Sequence, residues 1–427
     1  MCHHGYVSRT GILANPVFRR LFAAQIVALG GTGLLTVALS LLAYDLAGPA
    51  AGAVLGTVLA IKMLAYVFIA PVMATVTNRL PRKAVLIGAD LTRAGVALLL
   101  PFVDQVWQIF VLVFVLQAAS ATFTPAFQAV IPAILTDERD YTRGLSLSRL
   151  AYDLEAMVSP ILAAALLMVM SYDNLFAGTV AGFLLSAVLV RAAAVPDTEP
   201  DRAPWHRRLF SGVRNMLGNG ELRALVAMNL TVAAATALVM VNTVVYVRDM
   251  LAGSEAEVAM MFAAYGAGSM VVALSVPRLL TVVTDRVVML TGAAAAAGGL
   301  LVAATVLVVA TPTWSLLAST WALLGAATSL VNTPAGRLLR RASTETNRTA
   351  LFTAQFSLSH AGFLLTYPIA GWVGAAVNQG LAAVILAILG SFAALAAAWI
   401  MTRGRGAADE RDSAREAAPR VVAESRP

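Results

Sequence analysis

Between Arg19 and Arg403, apolar runs of about 20 residues alternate with short loops, and the arginines fall almost entirely on every second loop. A bilayer core about 30 Å thick needs a helix of about that length. Basic residues that flank such helices collect on the cytoplasmic side. The alternation therefore predicts class, topology and orientation together: a polytopic protein of the bacterial inner membrane with both termini in the cytoplasm.

The predicted spans lie near 20–43, 50–74, 84–103, 107–130, 148–170, 173–194, 222–247, 255–279, 287–310, 313–336, 350–376 and 379–402. With this placement, 27 of the 30 Lys and Arg residues fall on cytoplasmic segments. Arg248 is on an outer loop, and Lys62 and Arg93 are inside spans. The chain then divides into a six-helix bundle (1–194), a cytoplasmic linker (195–221), a second six-helix bundle (222–402) and a disordered tail (403–427). Hydrophobic residues make up 59% of the chain and charged ones 12%, so no sizeable soluble domain is expected. The net charge of +7 is read as topological arginine rather than as a nucleic-acid surface. Cys2 is the single cysteine, which excludes a disulfide framework. The first span is expected to serve as the insertion signal.

The two halves echo each other in order. Asn15-Pro-Val-Phe-Arg before span one matches Asn219-Gly-Glu-Leu-Arg before span seven. Tyr44-Asp45 matches Arg248-Asp249, and Pro71 matches Pro277. Thr124-Pro125-Ala126 matches Thr333-Pro334-Ala335, and Ser159-Pro160 matches Tyr367-Pro368. Matches at a nearly constant offset imply a duplicated six-helix unit, and two such repeats can rock about a central site.

Twelve spans, a repeat and a basic loop after span two resemble the major facilitator superfamily over essentially the whole chain. That family's loop signature reads Gly-x-Leu-Ala-Asp-Arg-x-Gly-Arg-Arg/Lys; here the stretch is Ala74-Thr75-Val76-Thr77-Asn78-Arg79-Leu80-Pro81-Arg82-Lys83. Arg79, Arg82 and Lys83 match, while Asn78 replaces the acidic residue and can still accept a hydrogen bond. The resemblance implies that this loop latches the outward-facing state. The stretch Thr142 to Pro160, with Ala70-Pro71 and Val106 to Phe110, is similar to the branch of nickel-resistance permeases related to siderophore and macrolide exporters. The histidine-rich tail of such nickel exporters is missing here.

Ionisable residues inside spans cost roughly 3 kcal/mol or more and are functional candidates by default. They are Lys62, Asp90, Arg93, Asp153 and Glu155, all in the first half, with His360 in the second. Asp90 and Arg93 are three apart and can pair, as can Arg149 and Asp153 at four apart. Glu155 is rotated about 200° from Asp153 and has no partner on its own helix. That makes Glu155 the candidate proton carrier, with Lys62 expected to pair with Asp153 or Glu155 across the bundle. Either carboxylate could equally be held in a permanent pair. His360 could be a packed polar residue or, with Glu155 and Met157, part of a weak metal site. Cys2-His3-His4 is a further soft-metal handle. The small-residue pairs around Gly33 and Gly56 point to close helix approach.

No phosphate-cradling loop, zinc-hydrolase spacing or nucleophile elbow is present, so no enzyme activity and no cofactor are expected. The expectation is an all-α membrane protein of two six-helix pseudo-repeats, a monomeric secondary transporter. It would exchange protons for a toxic small-molecule or metal-ion substrate, divalent nickel foremost, in a resistance role. The alternative substrate is a drug, a macrolide or a siderophore.

Overall fold

The structure, a computed structural model, describes residues 12–47, 51–196, 205–253, 255–309 and 313–417. Among these residues it is all-helical. The first half contains α1 (Pro16–Ala47), α2 (51–76), α3 (Arg82–Leu99), α4 (Val106–Ile134), α5 (Glu138–Leu167) and α6 (Asp173–Ala192). A connecting helix, α7 (Trp205–Gly218), leads to α8 (Gly220–Val245), α9 (Glu255–Leu279) and α10 (Asp285–Val309). The chain then forms α11 (Trp314–Ala342), α12 (348–376) and α13 (Gln379–Ala417). Ten of these are long and apolar enough to cross a membrane. The connecting helix α7 and helices α5 and α12 fall outside that set; α5 carries the polar residues Arg149, Asp153 and Glu155, and α12 carries Gln355 and His360.

The repeat seen in the sequence has a structural counterpart at each half's start. Asn15 Oδ1 accepts hydrogen bonds from the backbone N–H groups of Val17 (3.0 Å) and Phe18 (3.1 Å). Asn219 Oδ1 does the same for Glu221 (2.9 Å) and Leu222 (3.2 Å). Both side chains satisfy donors that the first helical turn leaves orphaned. Within each half, the first helix packs on the sixth and fifth, and the third packs on the sixth and fourth.

Small residues set the closest approaches. In α1, a methyl group at Gly31 would stand 3.2 Å from the Thr179 carbonyl of α6. Thr179 Oγ1 donates to the Gly31 carbonyl at 3.0 Å. The second half carries the reciprocal bond, from Thr231 Oγ1 in α8 to the Gly390 carbonyl in α13 at 2.9 Å.

Prolines shape two spans further. Pro71 has no N–H to continue the α ladder, and the turn before it widens into a π turn at Ala65–Ile69. A second π turn, Ile369–Val373, directly follows Pro368 in α12. Such π turns concentrate at functional sites. Helix α13 runs on to Ala417, so the backbone is helical across much of the tail that sequence reading left unstructured. Residues 418–427 and Cys2-His3-His4 lie outside the described residues.

Candidate transport site between the halves

Side-chain contacts between the two halves gather at the arginine-rich end and at mid-depth. At mid-depth, α5 meets α9 through Asp153. Arg149 pairs with Asp153 at 3.0 Å, one turn along the same helix. Ser269 of α9 donates to the Asp153 carboxylate at 2.8 Å and accepts from the Arg149 guanidinium at 3.0 Å. Asp153 therefore has its partners, and they do not include Lys62.

Glu155 is different. It is half-buried on the opposite side of α5, against α1, where a methyl group at Gly33 would come 3.1 Å from its Oε1. Ser159, one turn on, packs on the same glycine. Among the described residues Glu155 enters no ion pair, although Lys62 is near enough to act on it electrostatically. Lys62 itself lies over the Tyr66 ring, 5.6 Å from its centroid. The direct Lys62–carboxylate pair expected from sequence is thus replaced by a cation–π contact.

Tyr66 belongs to the π turn of α2 and reaches across to α12 of the other half. Its ring centroid is 4.8 Å from those of Phe356 and His360, edge-on to the imidazole. Phe363 and Tyr367 continue this aromatic ladder along α12. His360 Nδ1 is 2.7 Å from the Phe356 carbonyl, which can only accept, so Nδ1 carries a hydrogen. Lys62 acts electrostatically on His360 as well as on Glu155. A carboxylate, an ammonium, an imidazole and a run of rings thereby share one region built from both halves.

Asp90 and Arg93 do pair, and they are sealed off. Asp90 is fully buried and also accepts from Ser186 Oγ at 2.8 Å. The Arg93 guanidinium is sandwiched between Phe123 and Phe183, 4.4 and 4.5 Å from their centroids. This arrangement neutralises a charge within the bundle and ties α3 to α6 and α4.

At the arginine-rich end, the loop after α2 forms a tight turn at Thr77–Arg79. Arg82 donates to Thr349 Oγ1 at the start of α12, at 3.3 Å. Arg79 is exposed and Lys83 is half-buried. The Asn78 side chain lies outside the described residues, as does that of Met157.

A second junction was not anticipated from sequence. Arg337 of α11 forms ion pairs with Glu138 of α5 at 2.7 Å and with Asp285 of α10 at 2.7 Å. Arg341, one turn on, pairs with the same two carboxylates. Tyr141 Oη donates to the Gly336 carbonyl at 3.0 Å, and Arg340 covers the Tyr141 ring while donating to the Thr136 carbonyl. The i, i+4 spacing of Arg337 and Arg341 after Thr333-Pro334 was the available signal, but sequence alone assigned those arginines to topology. At the opposite end, Tyr172 is pushed up to about 12, first by its hydrogen bond to the Asp45 carboxylate and then by burial.

Among the described residues, no group of three or more His, Cys, Asp or Glu could hold a metal ion. Asp153 is engaged elsewhere, and the Nδ1–H of His360 bonds its own backbone, which leaves Nε2 as the open ring nitrogen.

Comparison with known proteins agrees with this architecture. The profile of the Major Facilitator Superfamily matches residues 21–250 and again 224–426. Macrolide efflux protein A of Streptococcus pyogenes is 28% identical over 184 residues, 42% of this chain and 45% of that protein. The protein of the same name from Enterococcus faecalis is 29% identical over 138 residues, 31% of this chain and 42% of its own. The chain thus matches less than half the length of these curated relatives. In fold, it is similar to a human organic anion transporter (TM-score 0.74, 12% identity, 90% of this chain and 99% of that one). It is also similar to the Escherichia coli fucose:proton symporter (0.70, 18%, 90% and 98%). A bacterial homologue of the iron transporter ferroportin in its outward-facing state is a third neighbour (0.73, 14%, 91% and 98%).

Proposed function

The chain belongs to the Major Facilitator Superfamily, and from that premise we propose that it is a proton-coupled exporter of bulky amphipathic organic cations, macrolides included. The observation that carries this reading is Glu155. It is a half-buried carboxylate that enters no ion pair among the described residues, beside Lys62 and the aromatic ladder that joins α2 to α12. Rings and aliphatic side chains suit an apolar body, and a single carboxylate suits an attached amine.

The arginine-rich end is the cytoplasmic one in this reading, by the charge asymmetry of the loops. We read the contacts gathered there as the arrangement in which the halves are closed toward the cytoplasm. In that state Glu155 takes a proton from outside and releases the cation. Rocking of the halves then breaks the Arg337–Glu138 and Arg149–Ser269 contacts, and the proton leaves inward as new substrate binds. Each half supplies one wall, so a single chain completes the site.

Organic export is favoured over the nickel reading for two reasons. The matched relatives are macrolide efflux proteins. Moreover, among the described residues no group of three or more His, Cys, Asp or Glu is placed to hold a metal ion. The test is Glu155→Gln in everted membrane vesicles, reading drug uptake driven by an imposed proton gradient. Gradient-driven uptake should vanish while gradient-independent exchange of labelled drug persists. An unchanged pH dependence of uptake would overturn the assignment, and growth protection against nickel but not drugs would reverse the substrate choice.

A further inference from the structure

Helix α7 has a face that the transport cycle does not use. Its sequence, Trp205 to Gly218, contains Arg207, Arg208 and Arg214 and no acidic residue. One side is bound to the bundle. A methyl group at Gly212 would collide with the Ala350 carbonyl and stand 2.9 Å from Ala354 Cβ of α12. Met216, one turn on, is fully buried with Leu222, Leu225 and Leu351. The other side carries Phe210, 65% exposed, and Leu217, 47% exposed, with exposed Arg214 between them. Positions i, i+4 and i+7 share one face of a helix.

Helix α7 therefore presents Phe210 and Leu217 together with Arg214, and it does so against α2, α8 and α12, where the apolar spans Thr57–Val76 and Gly220–Val245 end and begin. A helix of that composition seats its apolar side chains at the headgroup–acyl boundary, while its arginines reach phosphates. We propose that α7 is an interfacial helix that binds anionic lipid headgroups of the arginine-rich leaflet. A lipid surface fits better than a protein partner because the face lies where two apolar spans end and its charge complements anionic lipid.

The position of α7 gives that binding a consequence. It touches α2 of one half and α12 of the other. Gly212 meets α12 at Ala350 and Ala354, the latter two residues before Phe356 and about 9 Å into the helix. Lipid held at α7 thus braces the segment that presents the Tyr66–His360 contact.

The test uses full-length protein carrying Cys2→Ser and Leu217→Cys, with a nitroxide on the new thiol. It is reconstituted in phosphatidylcholine vesicles with or without phosphatidylglycerol. The label should relax with oxygen rather than with a water-soluble paramagnetic reagent, and should move deeper when phosphatidylglycerol is present. In Arg207→Gln/Arg208→Gln/Arg214→Gln protein that deepening should be lost, whereas the three Lys substitutions should keep it. A label that relaxes with the aqueous reagent in both vesicles overturns the proposal. So does a phosphatidylglycerol response in the Gln variant as large as in the parent.

Discussion

Gly33 and Glu155 fit against each other: a methyl group on the glycine would lie 3.1 Å from the carboxylate oxygen and collide with Ser159. The missing side chain on α1 gives the carboxylate its place. Gly33→Ala is expected to cost about 1–3 kcal/mol through overpacking. It should also depress proton-driven transport far more than Gly30→Ala, where nothing lies within 4 Å. Equal transport by the two variants in matched vesicles would separate Gly33 from the site.

Ser269 joins the halves by accepting from Arg149 and donating to Asp153. Ser269→Ala removes that bridge but leaves the Arg149–Asp153 pair within α5. The expected outcome is modest destabilisation, about 1 kcal/mol for the lost hydrogen bonds. Because the bridge exists only while α5 and α9 are together, closure at the arginine-rich end should also weaken. Faster alkylation of a reporter cysteine placed on that side of α9 would record it.

Arg337 is 12% exposed and stands between Glu138 and Asp285. Arg337→Met leaves the buried Asp285 to Arg341 alone, and disrupting such a pair on one side costs about 3–5 kcal/mol. Glu138→Gln removes only the cross-half charge. The two should therefore separate: Arg337→Met lowers the melting temperature, while Glu138→Gln leaves it nearly unchanged and raises accessibility at the arginine-rich end. Identical melting curves for all three proteins would remove this junction from the list of stabilising contacts.

The Tyr172 phenol, raised from 10.0 to about 12, binds its proton more tightly in the folded chain than in the unfolded one. Its stabilising contribution is complete below about pH 10 and is lost as pH rises through about 12. Asp45→Asn removes the first cause of the shift. Tyrosinate absorbance at high pH should then gain one phenol titrating earlier than in the parent, and Tyr172→Phe should remove that phenol altogether.

The helical spans and the duplication were legible in the sequence because each rests on a local rule. Apolar length sets a span, and Asn15 and Asn219 cap their helices with their own side chains. The Asp90–Arg93 and Arg149–Asp153 pairs were legible for the same reason, since partners three or four residues apart share a helix face. Contacts between distant segments were not. Ser269 lies 116 residues from Asp153, and no periodicity links them. Lys62 was assigned to a carboxylate because charge was the only visible criterion, whereas the fold offers it the Tyr66 ring. Likewise Arg337 and Arg341 satisfied the loop-charge pattern so well that their bonds to Glu138 and Asp285 went unread.

The π turn at Ala65–Ile69 amounts to one residue inserted into an otherwise regular helix. Everything after it, including the Arg79–Lys83 loop, is rotated by about 100° relative to an uninterrupted α2. The phase between Tyr66 and Arg82, and hence which partners on α12 each can reach, is therefore set by a single position. A one-residue deletion there would leave composition, hydropathy and charge untouched while turning the loop away from Thr349. An indel in this stretch could separate related chains more sharply than many substitutions elsewhere.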